Sequence, residues 1–194
     1  MRTLLGLLAI ALLVTPPVVS AGGLGAKALS CVAEICIGHT ATRETVEKKM
    51  GTGSRLNGGA GETICYRIAT DETFLHFKFR RGGGLDGFVI SQAANCYQND
   101  TPLMDLPSAE GVSRDLYSIQ LGSSEVEVRA RFGEPKMKER GTGLSVAGVA
   151  YEQALKNPLL GETVLVYRWT DGRPSIDVYV TKGRVTAVAV GSGV

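Results

Sequence analysis

One pattern occurs twice in this chain, and it constrains the fold more than any single motif does. Tyr66-Arg67-Ile68 returns as Tyr167-Arg168-Trp169, and a little further on Phe77-Lys78-Phe79-Arg80-Arg81-Gly82 is answered without a gap by Val178-Tyr179-Val180-Thr181-Lys182-Gly183. Upstream of each copy, a short helix-like segment ends in an apolar residue and glycine: Val46 to Met50-Gly51, and Val128 to Phe132-Gly133. Self-similarity over this length is the mark of one folding unit used twice.

The second copy shows the unit more cleanly. Ser124 is a good N-cap, and Glu127 three residues on completes a capping box. Val128 and Phe132 are four apart and share a helix face, with Leu121 placed to pack back as a staple. Gly133 suits the left-handed residue that ends a helix, and Pro135 blocks continuation. Strands are then expected over 163–169, 175–181 and 185–190. Ile176, Val178 and Val180 point one way along the second of these, and Asp177, Tyr179 and Thr181 the other. The first copy follows suit, with Thr42 for Ser124 and strands over 62–70, 74–80 and 88–92. The fold class expected is α+β: two tandem repeats, each a short helical segment packed on a three- to four-stranded antiparallel meander.

The expected organisation is a signal peptide over 1–21, repeat 1 over 22–97, a linker over 98–115, and repeat 2 over 116–194 with an insert at 141–161. Arg2 followed by the apolar run Leu4–Val14 is too short to span a bilayer, and Pro16-Pro17 and Val19-Ser20-Ala21 complete an export signal. That places the protein in the periplasm or outside the cell. The stretch with Pro102 and Pro107 is a linker or an edge-running connection, and Leu103, Met104 and Leu106 make it a poor candidate for free disorder. From Gly51 to Tyr66 is 15 positions, and from Gly133 to Tyr167 is 34, which locates the insert. Its Val146–Tyr151 run reads as a strand, either an extra edge of the sheet or part of a specific surface.

Cys31, Cys36, Cys65 and Cys96 all fall in the first half. An even count in an exported chain reads as disulfides, and paired Cys-x-x-Cys metal spacing is absent. Three pairings are open; Cys31–Cys36 with Cys65–Cys96 is favoured because a short loop closes cheaply. Cys31 lies too far from the apolar run to be a lipidated cysteine.

Little in the chain suggests catalysis. His39 and His76 do not fall in a ligand or nucleophile pattern, and Gly-x-Ser-x-Gly is missing from any strand-to-helix setting. Gly58-Gly59-Ala60-Gly61 and Gly82-Gly83-Gly84 lack the Lys-Ser/Thr of phosphate loops. No catalytic, cofactor or metal residue is assigned. Without the leader the net charge is +1 and no basic stripe forms, which argues against nucleic acid. The aromatic residues Tyr66, Tyr151, Trp169 and Tyr179 are the candidate interface anchors. Tyr167 and Trp169, in one phase, alternatively form core beneath the helix, and Tyr179 is the better surface candidate.

The run Leu121-Gly122-Ser123-Ser124-Glu125-x-Glu127-Val128-x-x-x-Phe132-Gly133-Glu134-Pro135, followed by Val166-Tyr167-Arg168-Trp169 and Gly183-Arg184-Val185, resembles the SmpA/OmlA family of outer-membrane assembly lipoproteins. In tandem, the unit is similar to the secreted β-lactamase inhibitor proteins. Both resemblances imply a protein-binding scaffold without catalytic residues. Two units and no lipidated cysteine move the expectation away from assembly, towards an exported module that binds another envelope or secreted protein. The rival readings are an inhibitor of a secreted or periplasmic hydrolase and a carrier of a small apolar ligand.

Overall fold

The structure is a computed structural model that describes residues 31–38, 40–58, 61–68, 73–92, 105–106, 115–116, 119–134, 137–139, 150–154, 160–169 and 174–191. The expected leader, His39, Cys96 and residues 141–149 of the expected insert lie outside them.

Each half carries one eight-residue helix, after a small hairpin and before its strands of the main sheet, and side chains set its ends. In α1 (Arg43–Met50) the Thr42 hydroxyl accepts from the Thr45 N–H; in α2 (Glu125–Phe132) Ser124 and Glu127 form the full capping box. Gly51 and Gly133 stop the two helices at φ 83° and 88°, where a Cβ would be disfavoured, and their N–H groups donate to Glu47 O and Arg129 O.

The strands then run in sequence. The first half supplies β3 (Ser54–Gly58), β4 (Gly61–Ile68), β5 (Thr73–Arg80) and β6 (Leu85–Ser91). The second supplies β9 (Met137–Glu139), β10 (Ala150–Ala154), β11 (Thr163–Tyr167), β12 (Ser175–Thr181) and β13 (Arg184–Gly191). All nine join one sheet in the order β3-β4-β5-β6-β13-β12-β11-β10-β9, antiparallel except for β9 against β10. Two small hairpins stand outside it: β1 (Cys31–Val32) with β2 (Ile35–Cys36), and β7 (Asp115–Leu116) with β8 (Ile119–Gln120). The described chain is thus mostly antiparallel sheet with two short helices.

The halves meet where β6 pairs with β13. Val89 lies opposite Ala189, with Phe88 opposite Val190 and Ile90 opposite Val188. Read outward from that junction, the same features recur on both sides. A register irregularity falls at Lys78/Phe79 and again at Tyr179/Val180. Leu85 N donates to Ala41 O at 2.9 Å, and Val185 N to Ser123 O at 2.9 Å. The Tyr66 hydroxyl donates to the Gly51 carbonyl at 2.8 Å, and that of Tyr167 to the Gly133 carbonyl at 3.4 Å.

One face of the sheet carries the main core. Val46 and Val128 are fully buried from the helices, over Ile64, Tyr66, Leu75, Phe77, Leu165, Tyr167, Val178 and Val188. Removing this much apolar surface from water is the dominant stabilising term.

Two features differ from expectation. β3 was not anticipated, because Ser54-Arg55-Leu56-Asn57-Gly58 shows no alternation; it is held by pairing, Ser54 opposite Cys65. It occupies beside β4 the place that β10 occupies beside β11, so β10 is not an addition peculiar to the second half. The outermost strand on that side is instead the parallel β9. Within 98–115, Asp105 and Leu106 run along an edge: Leu106 N donates to Arg67 O at 2.8 Å, and Arg67 grips Asp105 through two hydrogen bonds of 2.6 and 3.0 Å.

Candidate functional site

Strand alternation sends every second residue to the face away from the helices. A continuous row crosses that face through seven strands: Ser54, Cys65, His76, Val89, Ala189, Asp177 and Val166, each opposite the next. Tyr151 of β10 pairs with Val166 and extends the register by one strand. A second row runs Arg67, Phe74, Ser91, Ala187, Tyr179 and Val164.

The middle of this face is closed to solvent. Cys65, Phe74, His76, Val89, Ser91, Ala187, Val164 and Val166 are all buried. Half-buried positions lie toward the second half and the margins: Arg67, Asp177, Tyr179, Thr181 and Ala189. Asp177 is held by Arg168 at 2.6 Å.

His76 is the chemically distinctive residue. It is 5% exposed, with the Cys65 sulfur 3.9 Å from Nδ1 and the Ser91 hydroxyl 3.3 Å from Nε2. Burial, helped by the positive charge of Lys78, lowers its pKa to about 4, so the ring is neutral at ordinary pH. Cys65 is disulfide-bonded, so its sulfur is not a nucleophile here. The trio is a structural contact in the second apolar layer. The sequence contained a usable signal for it: Phe74 and Val89 share a face with His76 although Leu75 and Phe77 point the other way, and apolar residues on both faces mean a sheet buried on both sides.

The interface candidates separate. Tyr66 is corrected from surface to core: it is 1% exposed, its ring edge-on to Phe77 at 6.2 Å, because it lies in phase with Ile64 and Ile68, in one core with Val46 and Met50 of α1. Burial raises its hydroxyl pKa to about 12, with the charge of Glu47 adding to the shift. Tyr167 is buried likewise. Trp169 is half-buried and packs edge-on against Phe132 at 6.3 Å, at the C-terminal end of α2. Tyr179 is half-buried on the face away from the helices. Tyr151 is placed by backbone register alone. Cys31 and Cys36 are bonded to each other, while the partner of Cys65 lies outside the described residues, as does Cys96.

A polar cleft of about 460 Å³ opens where α1 begins, against the turn after β5, with Arg43, Glu44, Glu62, Arg80 and Gly82 on its walls. Arg43 is within 3.0 Å of Glu44 and 3.6 Å of Glu62, while its Nε is buried without a hydrogen-bond partner among the described residues. Among the described residues, no group of three or more His, Cys, Asp or Glu side chains could hold a metal ion. Nor is any described helix long and apolar enough to cross a membrane.

No family model matches this chain, and no curated protein matches it. Among solved structures, it is similar to a DUF4309 family protein (YjgB) from Bacillus subtilis subsp. subtilis str. 168, with a TM-score of 0.47 and 12% sequence identity over 81% of this chain and 82% of that one.

Proposed function

We propose that this chain is an exported, non-catalytic protein-binding module, built from two copies of one helix-and-meander unit and directed at another envelope or secreted protein. The matched caps, helix stops, tyrosine ties and register irregularities support the two-copy reading. They are folding features, so binding must be argued from the surface. The observation that carries it is Tyr179. A large aromatic stands half-buried beside the enclosed Val164 and Ala187, on a strand that neighbours fix on both sides. Rigid, partly exposed aromatics of this kind make effective interface anchors. Its counterpart in the first half is the exposed Lys78, so the two units present different chemistry at one backbone position.

The test is capture from envelope extract with the tagged chain and with Tyr179→Ala. The expected result is a protein retained by the parent and lost by the variant, with both giving the same circular dichroism spectrum. A capture set indifferent to Tyr179→Ala and to Trp169→Ala would refute the assignment of the surface. A hydrolase panel separates the inhibitor reading, which predicts loss of one activity on adding the chain. A small apolar molecule that co-purifies in place of a protein would favour the carrier.

A further inference from the structure

We infer that the Cys31–Cys36 disulfide is a thiol-exchange site, reduced by an external dithiol before the disulfide at Cys65. The inference does not depend on the protein-binding reading. The bond closes the β1–β2 hairpin across the register pair Cys31 and Cys36, and only Ala33 and Glu34 connect the two strands. Both sit in the left-handed region, at φ 49° and 60°. That conformation disfavours residues with a Cβ, and two-residue turns of this hand ordinarily use Asn-Gly or glycine. The disulfide holds the two strands together against that cost, and its reduction lets the turn relax.

Access separates the described sulfurs. Cys36 is exposed and Cys31 half-buried, whereas Cys65 has 0% exposure. Exchange requires a thiolate to reach sulfur, and exposed or strained disulfides are the more readily reduced. The hairpin is also anchored without the bond. Val32 and Ile35 are in the core, and Gly38 and Leu85 exchange backbone hydrogen bonds of 3.0 Å in both directions. Reduction therefore loosens the turn and the Glu34–Lys49 ion pair while the sheet stays intact.

The exchange balances as two displacements. A thiolate of the dithiol attacks Cys36 Sγ, the S–S bond breaks, and Cys31 leaves as a thiolate that takes up a proton. The second thiol of the reagent, deprotonated, attacks its own sulfur in the mixed disulfide and expels Cys36. The dithiol ends as a disulfide, having given two electrons to the cysteine pair.

The experiment equilibrates the purified chain at graded ratios of reduced to oxidised dithiothreitol, quenches with an alkylating reagent, and reads each cysteine by peptide mass. Cys31 and Cys36 should be labelled at a ratio about tenfold or more below that needed for Cys65. Simultaneous labelling, or Cys65 first, overturns the proposal. Glu34→Gly removes one disfavoured residue from the turn and should make the pair roughly five- to thirtyfold harder to reduce. Lys49→Ala breaks the same ion pair without altering the turn and should leave the ratio near that of the parent. A Glu34→Gly chain that reduces as easily as Lys49→Ala refutes the role given to the turn.

Discussion

Mild acid should weaken this fold at one identifiable place, the His76 imidazole. In the folded chain the ring is 5% exposed, and burial together with Lys78 lowers its pKa to about 4. In the unfolded chain it takes its proton near pH 6.5, the ordinary value. A pKa depressed by folding means the contribution is complete above about pH 6.5 and drains away as the pH falls toward 4. Integrated from about pH 7.5 to pH 5, the loss is about 2 kcal/mol. For a chain of this size that corresponds to a fall in Tm of roughly 4–8 °C. The assay is urea unfolding followed by circular dichroism at the two pH values, on the parent and on His76→Gln, which keeps an amide within reach of Ser91. The two proteins differ only at residue 76, so the difference between them isolates its contribution. The parent should lose about 2 kcal/mol more than the variant between the two conditions. The same pH dependence in both would show that His76 is hydrated or already protonated in the folded state, and the reasoning would fail.

Tyr66→Phe should cost about 1 kcal/mol, since it removes a 2.8 Å hydrogen bond to the Gly51 carbonyl; Tyr167→Phe, whose bond is 3.4 Å, should cost less, both read by urea unfolding. Gly87→Ala should cost about 1–3 kcal/mol, because its Cβ would lie 2.4 Å from the Val190 carbonyl oxygen across the junction of the halves. Gly191→Ala, at the register partner, meets Ser175 Oγ only at 3.4 Å and should be tolerated; equal costs at the two glycines would contradict the pairing of β6 with β13. Ser124→Ala should cost about 1 kcal/mol by removing the α2 capping box, measured as a drop in urea midpoint.

The helices and the six strands flanking the junction were legible because each carries a local signal. Ser124 and Glu127 announce a helix start, and Ile176, Val178 and Val180 announce a strand with one buried face. What was not legible depends on partners distant in sequence. β3 has neither alternation nor β-branched residues and exists because β4 is beside it. β9 is parallel to β10, and nothing in Met137-Lys138-Glu139 specifies that pairing. Aromatic content alone makes Tyr66 a surface-anchor candidate, because it marks interfaces and cores alike. Its phase with Ile64 and Ile68 is the deciding signal, and all three lie in one buried core with Val46 of α1. The interior setting of His76 was hidden for a related reason: a sheet covered on both faces alternates between two kinds of inside.

The two faces of the sheet divide the labour implied by the proposed duplication. Positions that match across the junction and point to the helices keep their character: Val46 and Val128, Tyr66 and Tyr167, Phe77 and Val178, Phe79 and Val180 are all apolar or aromatic and buried. Those residues secure the helix and its glycine stop, which each half must do independently. On the opposite face the matched positions diverge: Cys65 against Val166, His76 against Asp177, Lys78 against Tyr179. Two of these exchanges alter charge or polarity outright, in a layer where an unsuitable polar group would cost stability. The first half closes its layer with a disulfide-bonded cysteine and a neutral histidine. The second holds a carboxylate against Arg168 and turns an aromatic ring partly outward. A duplicated scaffold retains what folding demands of both copies, and a second copy is free to change where folding demands less. Tyr179 and its neighbours on β11 to β13 are therefore where a partner surface is to be sought, and exchanging Lys78 and Tyr179 should abolish capture while leaving the unfolding midpoint within a few degrees of the parent.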